Sequence, residues 1–188
     1  MSPKLKIISA ACENMGIGKD NNLPWKLKSE MEHFRRMTSK TKDPHKKNVV
    51  IMGRKTWDSI PLKYRPMRNR INFVLSRSDL DLRSYEASYS FKNLEECIKK
   101  LEDEDFKKLY ENAWVIGGSR IYAEAMKSEY FYQLYLTRIL KTFDCDTFFP
   151  ELPDNLVKVS DPDVPEGKQI ENDIEFIYNV YQNPNFSN

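Results

Sequence analysis

The sequence predicts an α/β fold, a mostly parallel sheet with antiparallel strands at one edge and helices against its faces. Three observations lead there. Short runs apolar on both faces recur at Leu5–Ala11, Asn48–Met52, Ile71–Leu75 and Ala113–Ile116, the pattern of strands covered on both sides. Helical spacing lies between them, in Leu27, Met31, Phe34 and Met37 and again in Leu94, Ile98 and Leu101. From Phe131 onward the pattern changes to long strand-like segments, YFYQLYLTRI and later IEFIYNVY, with no helical spacing between them. These are expected to supply the antiparallel edge. No repeat, low-complexity segment or linker appears, so residues 1–188 are read as one domain. The loop-like stretches are Thr38 to Lys47 and Pro150 to Gln169, and Glu102 to Glu111 reads as a solvated, charged segment.

Glycines follow three of the strands. Gly16 and Gly18 follow the first, but Asn21 stands where a dinucleotide fingerprint needs its third glycine and Pro24 interrupts the helix that should follow. A Gly- and Asn-rich excursion remains, of the kind that forms a mobile lid. Gly53 ends the next strand and is followed by Arg54, Lys55 and Thr56. A helix starting there would aim N–H groups and two cations at an anion. It is no Walker A loop, because Asn48 and Arg54 occupy the required Gly and Lys positions. Gly117 and Gly118 end a later strand and lead through Ser119 into a helix holding Ile121, Tyr122, Ala125 and Met126. Either a tight βα turn or close backbone approach to a ligand explains them. Several strand ends thus meet at one sheet edge, where open α/β sheets bind ligands.

Composition narrows the class. The 188 residues include 40% apolar and 12% aromatic residues, which places the chain among globular proteins. No apolar run is long enough to cross a bilayer, and the first residues are too polar for a secretory signal. Cys12, Cys97 and Cys145 are far apart without metal-type spacing, so unpaired thiols in a reducing compartment are expected. The formal charge is only +2, yet residues 1–77 carry 18 Lys and Arg against six Asp and Glu. That asymmetry favours an anionic partner, either a small polyanion or nucleic acid. No recognition-helix, zinc-finger or RNP motif accompanies it.

Few residues carry candidate chemistry. Glu30 borders the stripe formed by Leu27, Met31 and Phe34. A surface Glu paired with Lys26 or Lys28 fits that position. So does a desolvated acid with a raised pKa, walled by Trp25. His33 and His45 are expected to face solvent, and neither a nucleophile triad nor a metal site is supported. Cys12, the methionines and the Phe148-Phe149 pair are read as core.

Taken together, Asn14-Met15-Gly16-Ile17-Gly18, Leu23-Pro24-Trp25, Glu30 to Phe34, Val50 to Trp57, Arg65-Pro66, Leu75-Ser76-Arg77, Ile116 to Ser119 and Asp146 to Pro150 resemble the dihydrofolate reductase family in order and spacing along almost the whole chain. The similarity is to its single-domain eukaryotic members. It implies an eight-stranded, mostly parallel sheet flanked by about four helices, and NADPH-dependent reduction of dihydrofolate to tetrahydrofolate. It also implies a cytoplasmic monomer that binds antifolates such as methotrexate and needs no metal, membrane or nucleic acid. Glu30 would be the acid of the pterin site, with Trp25 holding a water and Thr137 bonding the carboxylate. Ile8, Ser9 and Ile116 would line the pterin. Leu23, Met31, Phe34, Ile60, Pro61 and Met67 would enclose the aminobenzoyl ring, with Arg35 at the rim and Arg70 clamping the α-carboxylate. For the cofactor, Ala10, Ile17, Gly18 and Tyr122 would lie at the nicotinamide end. Gly53, Arg54, Lys55, Thr56, Leu75, Ser76 and Arg77 would lie around its phosphates, and Ile116, Gly117, Gly118, Ser119, Arg120 and Ile121 at the pyrophosphate. The chain departs from the vertebrate pattern at Ser9, Lys26, Arg35 and Tyr64, which bears on inhibitor preference and tail contacts. The pyrimidine reductase of riboflavin synthesis is a second enzyme reading, opposed by Leu23-Pro24-Trp25 followed by Glu30.

Overall fold

The computed structural model describes residues 1–187. In chain order the strands are β1 (Leu5–Ala11), β2 (Gly16–Gly18), β3 (Lys47–Gly53), β4 (Arg70–Leu75), β5 (Ser88–Phe91), β6 (Tyr110–Gly117), β7 (Phe131–Ile139), β8 (Thr147–Phe148), β9 (Val157–Val159), β10 (Lys168–Glu171) and β11 (Ile174–Gln182). The helices are α1 (Lys28–Ser39), α2 (Arg54–Ser59), α3 (Leu94–Glu102) and α4 (Ser119–Lys127). One sheet follows the path β10-β11-β7-β1-β6-β3-β4-β5, with β9 pairing beside β11, and β2 and β8 form a separate two-stranded ribbon. The neighbours from β7 to β5 are all parallel.

The central strands are built from Val, Ile and Phe because both faces are covered. Leu5, Ile7, Val49, Ile51, Phe73 and Val115 point to the side packed by α3 and α4, while Ile8, Val50, Met52, Val74 and Trp114 point to the other, beneath Trp25, Leu27 and Trp57. The sheet thus separates two apolar layers, as alternation along each strand requires.

Several segments differ from the sequence reading. β7 joins the two parts of the sheet: α4 carries the chain back across it, so β7 runs parallel to β1 on one side and antiparallel to β11 on the other, and β10 continues the antiparallel edge beyond β11. The supposed loop from Pro150 to Gln169 contains β9 and the start of β10, and Thr38 and Ser39 belong to α1. Within Glu102 to Glu111, Phe106 is buried against Phe73 and Tyr110, and β6 has already begun. The Phe148-Phe149 pair is split by strand alternation, Phe149 packing on Tyr122 while Phe148 stays exposed.

The stripe on α1 also differs. Glu30, His33, Met37 and Thr38 are its buried residues, whereas Met31 is exposed. Glu30 therefore lies in the buried face rather than at its margin. His33 is not solvent-facing: its ring lies 4.0 Å from that of Tyr178 on β11, and burial beside Arg36 lowers its pKa to about 4. Polar residues occupy this face because α1 packs over polar positions of β7 and β11, where Thr137 and Tyr178 stand opposite each other. The helix start carries no cap of its own. Glu171 serves instead, accepting from the backbone N–H groups of Lys28 at 2.6 Å and Ser29 at 2.8 Å. At the other end the buried amide of Asn48 donates to the carbonyls of Thr38 and Lys40.

Candidate active site

The sheet register brings together the strand ends that the glycine pattern singled out. Ile51 and Met52 lie beside Val115 and Gly117, Gly53 beside Leu75, and Ala10 beside Thr137. Tyr122 of α4 donates through its hydroxyl to the carbonyl of Ile8 at 2.8 Å, which ties this helix to β1. β1 thereby sits between α4 and the carboxylate carried by α1.

That carboxylate is Glu30, only 6% exposed. Thr137 Oγ1 donates to its Oε1 at 3.1 Å. Burial pushes its pKa up to about 7, against a smaller opposing effect of the Thr137 bond. No Lys partner offsets the burial, since no ion pair of Glu30 occurs among the described residues. The surface-Glu alternative is thereby excluded. Trp25 is buried, its ring edge-on to Phe143, and its indole N–H finds no acceptor among the described residues. A buried acid that titrates near neutrality, with this buried N–H donor five residues before it in the chain, suits proton delivery to a basic nitrogen.

Apolar and cationic groups extend from this point. Ile8, Ile116, Trp57 and Leu27 form a buried cluster against which Ala10, Phe34, Ile60 and Met67 are partly buried, while Leu23, Met31 and Pro61 are exposed. Ser9 is buried. Arg70, also buried, donates through Nε to the carbonyl of Arg68 at 3.0 Å and through Nη1 to Thr38 Oγ1 at 2.9 Å. Desolvation and then the nearby charge of Arg35 lower its pKa to about 10. A cation held this way, with no carboxylate bonded to it among the described residues, is prepared for an external anion. Arg35 is exposed and bound to Glu32 on its own helix.

The opposite end of the strand edge is glycine-lined. Gly117 adopts a φ of 130°, a conformation that L side chains rarely take, and a Cβ there would stand 3.3 Å from Thr56 Oγ1. The first turns of α2 and α4, entered from Gly53 and Gly118, have no side-chain cap. Their free N–H groups and the bare glycine backbone fit a phosphate-bearing dinucleotide. The surrounding side chains are less uniform. Ser76 is buried and donates to the carbonyl of Ser78, and Lys55 and Arg77 are exposed. Arg54 pairs with Asp58 at 3.1 Å, Arg120 with Glu124 at 3.4 Å, and Ser119 donates to the carbonyl of Phe148. Ile121 is buried behind Gly53. Ile17 and Gly18 lie on β2, held to β8.

Sequence reasoning missed Thr38, which fixes Arg70, and Tyr178, which faces Thr137 across the strand pair. It also missed Glu171 and Asn48, which fix the two ends of α1. Their partners lie far away along the chain, so no local pattern marks them.

The family model for dihydrofolate reductase matches residues 4–183. The dihydrofolate reductase of Heliothis virescens is 46% identical over 183 residues, covering 95% of this chain and 97% of that protein. That of Gallus gallus is 44% identical, covering 95% of each. The solved structure of Schistosoma mansoni dihydrofolate reductase superposes with a TM-score of 0.86 at 39% identity, over 98% of this chain and all of that one. With a family match over nearly the whole chain, relatives of this identity and the same fold, the chain belongs to the dihydrofolate reductase family of enzymes.

Proposed function

We propose that this chain reduces 7,8-dihydrofolate to 5,6,7,8-tetrahydrofolate with NADPH, a step that feeds one-carbon and thymidylate metabolism. The observation that carries the reading is the buried, unpaired Glu30, whose pKa of about 7 suits a proton donor or relay at neutral pH. NADPH, held by the glycine-lined strand ends and the first turns of α2 and α4, would supply the hydride for pterin C6. Glu30 holds the pterin 2-amino group and N3, and Thr137 keeps the carboxylate in place by its hydrogen bond. The Trp25 N–H holds a water through which the proton reaches N5. Ile8, Ser9 and Ile116 enclose the pterin and keep bulk water from it, so that the charges act in a medium of low dielectric. Phe34, Met31, Leu23, Ile60, Pro61 and Met67 hold the aminobenzoyl ring, which explains apolar side chains left exposed on α1 and beside it. Arg70 clamps the α-carboxylate, and Arg35 stands at the rim.

Gly117, Gly118 and the first turn of α4, from Ser119 to Ile121, receive the pyrophosphate. Gly53 to Thr56 and Leu75 to Arg77 receive the adenosine phosphate, and Ala10, Ile17, Gly18 and Tyr122 border the nicotinamide. Two anionic ligands account for the basic first part of the chain. No helix among the described residues is long and apolar enough to cross a membrane, and three free cysteines fit a reducing cytoplasm. The protein acts as a monomer of one domain.

The test is the loss of reduced-nicotinamide absorbance when protein, NADPH and dihydrofolate are mixed, with stoichiometric inhibition by methotrexate. NADPH oxidation that does not depend on dihydrofolate would overturn the reading. RNA binding with a steep salt slope and no antifolate response would favour the nucleic-acid alternative.

A further inference from the structure

We propose that Cys12 and Cys145 form a reversible disulfide that pins the lid between β1 and α1 to the strand it pairs with. The two residues are 133 positions apart in sequence, yet their sulfurs lie 3.9 Å apart. Cys12 directly follows β1, and Cys145 stands just before β8. The Cys12 thiol donates to Asn14 Oδ1 at 2.7 Å, and the same oxygen accepts the Gly16 N–H at 3.2 Å. The Asn14 amide donates in turn to the carbonyl of Phe143. Cys145 lies directly against the lid: a Cβ on Gly16 would fall 2.2 Å from its sulfur, so the absence of a side chain there lets the thiol sit beside Cys12. The sulfurs need to approach by about 2 Å to bond, through rotation of the partly exposed Cys145 toward the buried Cys12.

The bridge would lie at the base of a ribbon that holds the lid down. Gly16 and Gly18 pair with Phe148 and Thr147, the N–H of Asp146 donates to the Gly18 carbonyl, and the N–H of Phe149 donates to that of Met15. Breaking these bonds releases the lid, whereas a covalent link between the first residue of the lid and the β8 segment shortens the loop that can swing away. Cys12 is fully buried and Cys145 partly exposed, so an oxidant meets Cys145 first. With glutathione disulfide the Cys145 thiolate attacks one sulfur, the S–S bond breaks, and glutathione leaves as a thiolate that takes up a proton. Cys12 then gives up its proton and attacks Cys145 of the mixed disulfide, releasing the second glutathione. Two protein thiols are oxidised and one glutathione disulfide is reduced to two thiols. Desolvation and the neighbouring Cys12 thiol push the Cys145 pKa up to about 11, so the exchange is slow at neutral pH and answers to sustained oxidation.

The test treats the folded chain with glutathione disulfide, quenches with acid and counts thiols after denaturation. In wild type the free thiols fall from three to one, the intact mass drops by two hydrogens without a glutathione adduct, and a peptide pair joining positions 12 and 145 appears. Cys97→Ala retains the cross-link, while Cys12→Ser stops at a glutathione adduct on Cys145. Three surviving thiols, or an uncross-linked adduct in wild type, would overturn the disulfide. Restraint of the lid is read without any enzyme assay, as slower amide exchange at Gly16 and Gly18 in the oxidised protein that dithiothreitol reverses. Unchanged exchange would overturn the pinning. The activity readout rests on the proposed reductase reaction: steady-state turnover should fall by roughly three-fold or more on oxidation while a single turnover of preloaded enzyme stays unchanged, because lid opening gates release.

Discussion

Thr38 Oγ1 accepts a hydrogen bond from Arg70 Nη1 at 2.9 Å and donates its own proton to the carbonyl of Phe34 at 2.8 Å. One hydroxyl therefore links the last turn of α1 to the first residue of β4. Together with the bond from Arg70 Nε to the carbonyl of Arg68 it fixes the orientation of the guanidinium, and it does so through a group that carries no charge. No carboxylate among the described residues neutralises the Arg70 charge, as the proposed clamp on a substrate carboxylate requires.

This relationship predicts a graded pair of variants. Arg70→Leu should weaken dihydrofolate by about 2 to 4 kcal/mol, because a bidentate charged contact is lost. Thr38→Val, which keeps the shape and removes the hydroxyl, should cost about 1 to 2 kcal/mol with kcat little changed. Both should leave a pterin ligand without a glutamate almost unaffected. Titration of the two ligands checks this, and equal losses for both would show that the residues act on the fold.

Glu30→Gln removes the acid while keeping a hydrogen-bonding partner for Thr137. NADPH binding should persist, and the hydride-transfer rate near neutral pH should fall by roughly 10²-fold or more. Single-turnover kinetics across the neutral range decide it. A rate equal to wild type would end the assignment of Glu30 as proton donor.

The same group makes the ligand-free protein sensitive to pH. An unfolded chain releases the Glu30 proton near 4.5 and the folded chain near 7, so between these values the folded state binds more protons. Stability from this group is complete below the lower value and is lost as pH rises through the upper one, by about 3 kcal/mol in all. Glu30→Gln should flatten that part of the profile. Thermal melts of both proteins between about pH 5 and pH 8 measure the difference directly.

Cofactor preference turns on whether the exposed Arg77, the buried Ser76 and the α2 entry meet a 2′-phosphate. Arg54 is partly engaged by Asp58, so Arg77 is the freer cation. With two charge-assisted contacts, NADPH should be preferred over NADH by about 10² to 10⁴ in kcat/KM. Arg77→Ala should erode the ratio by weakening NADPH alone, and more at low salt than at high. Equal slowing with both cofactors would place the phosphate elsewhere.

Gly117→Ala tests the glycine-lined end. With φ at 130° and Thr56 Oγ1 3.3 Å from the added Cβ, the substitution should cost about 1 to 3 kcal/mol of stability and weaken the cofactor more than the substrate. Gly118→Ala meets nothing closer than 3.7 Å and serves as the milder comparison. Chemical denaturation and cofactor titration of the pair measure the two effects separately.

The alternation of strands and helices is written locally in the chain, because apolar runs and three- and four-residue spacing are local consequences of covering two sheet faces and one helix face. Leu5–Ala11 is read to the residue, and Asn48–Met52 and Ile71–Leu75 to within one at either end. The motifs around Trp25, Gly53 and Gly117 were legible for the same reason, since each is a short run whose backbone demands are written in adjacent residues. Packing between distant segments set the rest. It overturned the surface reading of Glu30 that the local pattern favoured, because burial of the carboxylate depends on the β7 and β11 surface more than a hundred residues away. It turned α1 so that His33 is buried on Tyr178 and Met31 is exposed, since a helix face is selected by what it packs upon and not by its own apolar count. It made β7 parallel to β1 while antiparallel to β11, a property of the crossover through α4 rather than of strand composition. It also placed Cys12 against Cys145 and Thr38 against Arg70, contacts between segments whose separation along the chain leaves no trace in any window of sequence.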